Sequence, residues 1–318
     1  MYSMKERKTF LQIEDTYSLR GIAMLMIIIG HTYNGYPADN PQYVFPHWLE
    51  YLHIDLWGGM GVGIFLFLSG YGLCYTLSRR QRIDSRYLLS KVQRLFEPFL
   101  IYWIVEIIVL LIFDRQALSN YIFREIFTLS IHPDVENWFF KVILLLYVFT
   151  LALFRCRIGN ALRIAILFAV CVAGLMMMKQ AGMGQWWYNN LLCFPIGALV
   201  AYRYDAFAKL PPLAVCAVSG AMMLALLGIH MNTIVFHLCF VACSIYAIRL
   251  VNIHNRWLYY IGFNSFIFYF IECPVMDEIM LFAYPNYPAF CILSLLGTFI
   301  LSAVCIRGNK EIKRYFNH

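Results

Sequence analysis

Charge is scarce in this chain: Asp, Glu, Lys and Arg make up 14% of its 318 residues. Soluble domains carry about 25%, so a large water-facing domain is excluded. The ten cysteines stand singly, with no C-x-x-C pair and no metal-ligand spacing. No metal centre is therefore expected, and the thiols read as reduced packing residues. Low-complexity tracts, long linkers and clear internal repeats are also missing. The first apolar segment follows a polar stretch and lacks a small-residue cleavage site, so no removable leader is expected. Nor is there a basic stripe with interleaved aromatics on a soluble domain, which argues against nucleic acid as a partner.

Apolar residues are present in excess, at 61% of the chain with a mean hydropathy of +0.65. This places the protein in a membrane as an all-α, polytopic chain. Ten transmembrane helices are expected, near 18–34, 56–77, 95–113, 138–154, 160–178, 187–202, 211–229, 232–250, 257–276 and 287–306. Segment 117–131 reads as an amphipathic piece lying at an interface. The whole of 1–318 is expected to form one compact transmembrane domain. With the N-terminus inside, 21 of the 25 Lys and Arg residues fall on the inner side. Only Arg115, Arg124, Lys141 and Lys179 fall outside, so both termini are expected to be cytoplasmic. The net charge of +7 follows from the same bias.

Within SLRGIAMLMIIIGHTY, Arg20 and His31 are separated by ten uncharged residues. Eleven steps of about 100° make three turns plus roughly 20°, so both share one helix face about 16 Å apart. Intramembrane ionisable groups are costly and commonly functional. A snorkelling arginine and a helix-bridging histidine are the bland alternatives. The second apolar run opens at Asp55 and contains GGMGVGIFLFLSGYGL, whose glycines permit close helix approach. They also suit a slot for an extended ligand, with Ser69 and Gly70 lining it. Cations crowd the segment that follows, SRRQRIDSRYLLSKVQR, where Arg79, Arg80, Lys91 and Arg94 suit a polyphosphate ligand. Candidate carboxylates to orient the imidazole are Asp55, Glu106 and Glu272. Glu106 lies twelve residues beyond Arg94, about 18 Å of helical rise and a depth comparable to that of His31.

In this setting the chain resembles the membrane acyltransferases called acyltransferase 3. The family's Arg/Lys, ten residues and His in the first span are matched by Arg20 and His31. Its second-span FFxLSGF is matched by IFLFLSGYGL, and its basic run by KVQRLFEPF with Lys91, Arg94 and Pro98. WFFKVILLLYVF (138–149) is similar to the family's Trp-Phe-Leu segment, and CFPIGALVA (193–201) to its Gly-containing sixth span. YIGFNSFIFYFIECPV resembles its Ser-x-x-x-Tyr-x-x-His-x-Pro pattern. Two positions depart. Glu272 stands where many members carry histidine, and Tyr17 stands where an aspartate is common, Asp15 lying two residues earlier.

The resemblance implies O-acyl transfer, most often of acetyl from acetyl-CoA, to a hydroxyl of a surface glycan or lipid-linked sugar. His31 would be the general base and Arg20 a contact to the donor. Ser69, Gly70, Arg79, Arg80, Lys91 and Arg94 would complete the donor site. Trp138 and Lys141 are the candidate acceptor contacts, with ordinary snorkelling the alternative for Lys141. No tightly bound cofactor is expected; acyl-CoA, a glycan or glycolipid, and membrane lipids are the expected partners. A bacterial inner (plasma) membrane is the expected location. The aromatic loop with Tyr33, Tyr36, Tyr43, Trp48 and Tyr51 suits sugar faces or an interfacial belt. The competing readings are a transporter or flippase for a lipid-linked sugar or anionic metabolite, and a catalytically silent scaffold. A transporter built on inverted repeats should show two matching broken spans, and no such pairing is seen.

Overall fold

The computed structural model describes residues 10–36, 51–80, 85–113, 138–228, 232–251, 253, 255–283 and 286–316. Segment 117–131, Tyr43 and Trp48 lie outside the described residues. The described elements are helical: α1 (Ile13–Asn34), α2 (Trp57–Ser78), α3 (Ser85–Phe113), α4 (Trp138–Arg155), α5 (Asn160–Gln180), α6 (Cys193–Tyr202), α7 (Tyr204–Ala208), α8 (Pro212–Gly228), α9 (Thr233–Val251), α10 (Arg256–Phe263), α11 (Ser265–Ala283) and α12 (Tyr287–Phe316). The chain divides into two compact units. The first comprises Met1–Asn34, Pro46–Ile83 and Phe149–Ser265; the second comprises Gly35–Phe45, Asp84–Val148 and Phe266–His318.

The all-α expectation holds, but the span count does not. Among the described residues five helices, not about ten, are long and apolar enough to cross a membrane: Ile54–Ser78, Trp138–Arg155, Asn160–Gln180, Thr233–Val251 and Tyr287–Glu311. The physical reasons are local. Helix α6 has ten residues, about 15 Å of rise, and α8 has seventeen. Glu14, Asp15, Arg20 and His31 dilute α1. The expected ninth span is cut at Asn264 into α10 and α11, and α11 carries Glu272, Asp277 and Glu278. With ten alternating spans gone, the division of cations by loop no longer fixes which face each terminus occupies. The protein remains a multi-pass membrane protein.

Local sequence sets the helix starts. The Asp15 Oδ2 reaches back to accept from the Gln12 N–H at 3.1 Å, and Glu14 and Asp15 place negative charge in the first turn of α1. Asn255 caps α10 by accepting from the N–H groups of Trp257 and Leu258, at 2.8 and 3.3 Å. Asn264 donates to the Tyr260 carbonyl at 2.8 Å and so ties off the last turn of α10. Pro212 opens α8, where its missing N–H removes nothing from the helix ladder.

In the first unit α2 is the central helix. It runs antiparallel to α1, since Gly30 faces the backbone of Gly58 whereas Gly61 faces Ala23 and Ile27. It crosses α6 where Gly70 meets the Phe194 carbonyl and Gly197 meets the Phe67 carbonyl. Helix α9 runs parallel to α2, with His237 beside Gly59 and Val241 beside Gly63. Helix α10 zips onto the other side of α1 by setting Gly21 on the Leu258 carbonyl and Gly262 on the Tyr17 carbonyl. In a bilayer no hydrophobic force drives helices together, so such small-residue contacts carry much of the association.

The second unit holds an aromatic core. The Phe99 ring stacks on Phe140 at 4.3 Å and leans on Phe270 at 5.4 Å. Tyr36, expected in an outer aromatic loop, is instead buried against Tyr287 and Phe290. The Asn309 side chain donates to Glu97 Oε1 at 2.6 Å, joining α12 to α3.

Candidate functional site

Helix α1 carries the two residues that sequence singled out. His31 lies in its last turn, half-buried. A β-carbon placed on Gly58 would sit 3.7 Å from His31 Cδ2 and 3.9 Å from Nε2. The imidazole thus borders the first turn of α2 at ordinary contact distance, where a hydrogen atom in place of a side chain leaves its edge room. Three turns earlier, the Arg20 guanidinium lies 5.8 Å from the Tyr17 ring centroid. Its Nε is buried without a hydrogen-bond partner among the described residues. A half-buried guanidinium with one nitrogen so placed favours an anionic or strongly accepting ligand. Ser18, two residues before it, is held by donating to the Ile253 carbonyl at 2.8 Å.

The three candidate carboxylates differ sharply. Asp55 is exposed in the short turn Ile54–Leu56 ahead of α2; its backbone carbonyl accepts from Asn34 Nδ2 at 3.4 Å. Glu272 is wholly buried within α11 of the second unit. The Glu106 side chain lies outside the described residues.

At the far end of α2 the cations meet aromatics. The Arg79 guanidinium stacks 3.6 Å over Tyr75 and lies 4.9 Å from Tyr204. Arg80 is exposed beside it. Arg249 on α9, which the sequence counted only as a loop cation, belongs to the same end. Its guanidinium lies 4.6 Å from Phe10 and 5.2 Å from Tyr246, and its Nη2 donates to the Ala208 carbonyl at 3.0 Å. Tyr71 bridges the two groups, 6.1 Å from Phe10 and 5.6 Å from Tyr75. Ser69 is buried in α2, whereas Gly70 is occupied by the crossing with α6.

Three expected contacts belong to the second unit. Lys91 of α3 lies 5.3 Å over the Tyr87 ring. Trp138, half-buried at the start of α4, packs edge-on to Phe139 at 5.9 Å, and Lys141 is half-buried one turn on. The Arg94 side chain lies outside the described residues.

Sequence reasoning passed over a polar group in the first unit. His237, buried in α9, and Asn190, buried just before α6, both press on the glycine face of α2. His237 stands alone in an apolar span, the same signal that marked His31, but it lacks a charged residue at helical spacing below it.

Among known proteins, the family model described as "Acyltransferase domain" (acyltransferase 3) matches residues 18–307. No curated protein and no solved structure matches the chain. The match begins two residues before Arg20 and ends beyond the last expected span, so it takes in both units and every motif that carried the resemblance. The chain belongs to the acyltransferase 3 family of membrane acyltransferases.

Proposed function

We propose that this protein is a membrane O-acyltransferase. It moves an acyl group, acetyl in the simplest case, from cytoplasmic acyl-CoA to a hydroxyl of a cell-surface or lipid-linked carbohydrate, at a bacterial inner membrane. The observation that carries this reading is the Arg20–His31 pair on α1: one buried guanidinium nitrogen without a partner among the described residues, and, three turns on, an imidazole beside the bare Gly58. Family membership supplies the reaction class.

The chemistry needs few parts. A neutral imidazole at His31 accepts the proton of the acceptor hydroxyl as its oxygen forms a bond to the thioester carbonyl carbon. The carbon–sulfur bond then breaks, and the proton held by His31 goes to the departing thiolate, giving an ester and free CoA. Arg20 neutralises negative charge on the donor along its route to His31. Arg79, close over the Tyr75 ring and exposed beside Arg80, presents its guanidinium to the phosphate groups, and the half-buried Arg249 holds the aromatic corner behind it.

The test is transfer of labelled acetyl from acetyl-CoA by the purified protein in nanodiscs, with the host's glycolipid extract as acceptor. Label on glycolipid that depends on His31 supports the enzyme. Movement of glycolipid across vesicle membranes without acylation would replace this reading by transport.

A further inference from the structure

His237 and Asn190 are at least nine-tenths buried, with exposures of 4% and 2%. Among the described residues, neither ring nitrogen of His237 has a hydrogen-bond partner, and neither does Asn190 Oδ1. Almost all buried polar side-chain atoms in proteins are paired, and exceptions commonly mark a bound water or ligand. Two of these atoms, His237 Nε2 and Asn190 Oδ1, face the same side of α2. A β-carbon on Gly59 would lie 2.7 Å from His237 Cε1, 3.0 Å from Nε2 and 3.7 Å from Asn190 Nδ2; one on Gly63 would lie 2.9 Å from Asn190 Oδ1.

The neighbouring polar pair is closed. Asn189 Nδ2 donates to Thr233 Oγ1 at 2.7 Å, fixing the segment before α6 to the first turn of α9. That bond holds Asn190 and His237 in place, so their unpaired atoms are not a sign of looseness. A neutral imidazole offers one N–H donor and one bare acceptor nitrogen, and Asn190 Oδ1 adds a second acceptor. The complementary ligand must donate and accept at once and carry no charge, which describes an alcohol hydroxyl.

Position links this group to the proposed base. His31 borders Gly58 and His237 borders Gly59, consecutive residues about 100° apart around α2. We infer that His237 and Asn190 form a hydroxyl-binding subsite that holds the carbohydrate acceptor beside His31. The inference rests on the O-acyltransferase reading and adds to it the residues that bind the acceptor. Both are positioning residues, since the proton transfer remains with His31.

The experiment compares wild type, His237→Leu, His237→Gln and Asn190→Ala in nanodiscs, titrating the host's glycolipid extract at saturating acetyl-CoA. His237→Leu should raise the apparent KM for glycolipid at least tenfold, with kcat within threefold. His237→Gln, which keeps one donor and one acceptor, should recover most of the loss, and Asn190→Ala should raise KM severalfold. Thermal stability of His237→Leu should match or exceed that of wild type, because unpaired polar atoms are removed from the interior. An unchanged KM in His237→Leu overturns the subsite. With stability unchanged it would mean packing only, and with stability lowered, a structural water only. If wild type transfers no label, the O-acyltransferase reading falls and takes the subsite with it. If wild type transfers label and the variants match it, only the subsite falls.

Discussion

Gly30 and Gly58 face each other across α1 and α2, yet alanine at the two positions should do opposite things. A methyl group at Gly30 meets the backbone nitrogen of Gly58, its Cα at 3.0 Å and the Trp57 carbonyl carbon at 3.4 Å. All three are main-chain atoms, so relief requires moving a helix rather than rotating a side chain. Overpacking of this kind costs about 1–3 kcal/mol, against a gain of up to about 1 kcal/mol from replacing a helical glycine. Gly30→Ala should therefore lose about 1 kcal/mol net. Among the described residues, a methyl group at Gly58 meets the His31 ring edge alone, at 3.7 and 3.9 Å, which is ordinary contact. Gly58→Ala should keep or slightly gain stability, placing the two variants about 1–2 kcal/mol apart, a sizeable share of a typical folding free energy. Activity should run the other way: Gly58→Ala fills space that a substrate needs at the His31 ring and should cut acetyl transfer at least tenfold. Reversible unfolding in mixed micelles and the labelled transfer assay read the two quantities separately. Equal stability of the two variants would refute the close approach of the helices. Full activity in Gly58→Ala would remove that face of His31 from the reaction path.

His31→Gln keeps a polar group but no base, so transfer should fall to background while expression and membrane insertion stay at wild-type levels. Substantial turnover in that variant would take the catalytic role from His31. Arg20→Ala should raise the apparent KM for acyl-CoA, lower kcat, or both, while leaving glycolipid KM unchanged, and Arg20→Lys should restore only part because an ammonium lacks the planar fork. A change confined to glycolipid KM would place Arg20 on the acceptor path. Glu272→Gln, nearly isosteric at a wholly buried position, should lower transfer at least tenfold with unchanged thermal stability, because buried carboxylates in membrane segments are costly and commonly kept for function. Wild-type turnover with altered melting would assign Glu272 to packing.

The residues most readable in the sequence were those that break a pattern. Arg20 and His31 interrupt an apolar run at a separation of three helical turns, and the structure places both on α1. The order of motifs along the chain was equally legible, and the family match covers them. The number of spans was not legible, because hydropathy averages over a window and cannot see where a helix stops. CFPIGALVAY is apolar enough to read as part of a span, yet its helix ends after ten residues at Tyr202. The run 257–276 looks continuous, but Asn264 satisfies the Tyr260 carbonyl with its own side chain and ends one helix before the next begins. The polar pair at His237 and Asn190 needed three dimensions, since 47 positions of chain separate residues that meet on one glycine face. Likewise the glycines of α2 all looked alike, but Gly70 packs a helix crossing, Gly58 borders an imidazole, and a β-carbon on Gly72 would meet nothing within 4 Å among the described residues beyond its own helix.

Phe10 gives the fold a defined point of entry. Its ring is 1% exposed, lies edge-on to Tyr246 at 5.6 Å and is covered by the Arg249 guanidinium. The hydrophobic gain of burying such a ring is about 1.5–3 kcal/mol, concentrated in one residue three positions ahead of α1. Removing the ring, as in Phe10→Ala, should therefore lower the melting temperature measurably. For anyone redesigning this end of the chain, Phe10 is a residue to keep, since changing it loosens the corner where Arg249, Tyr71 and Tyr246 meet.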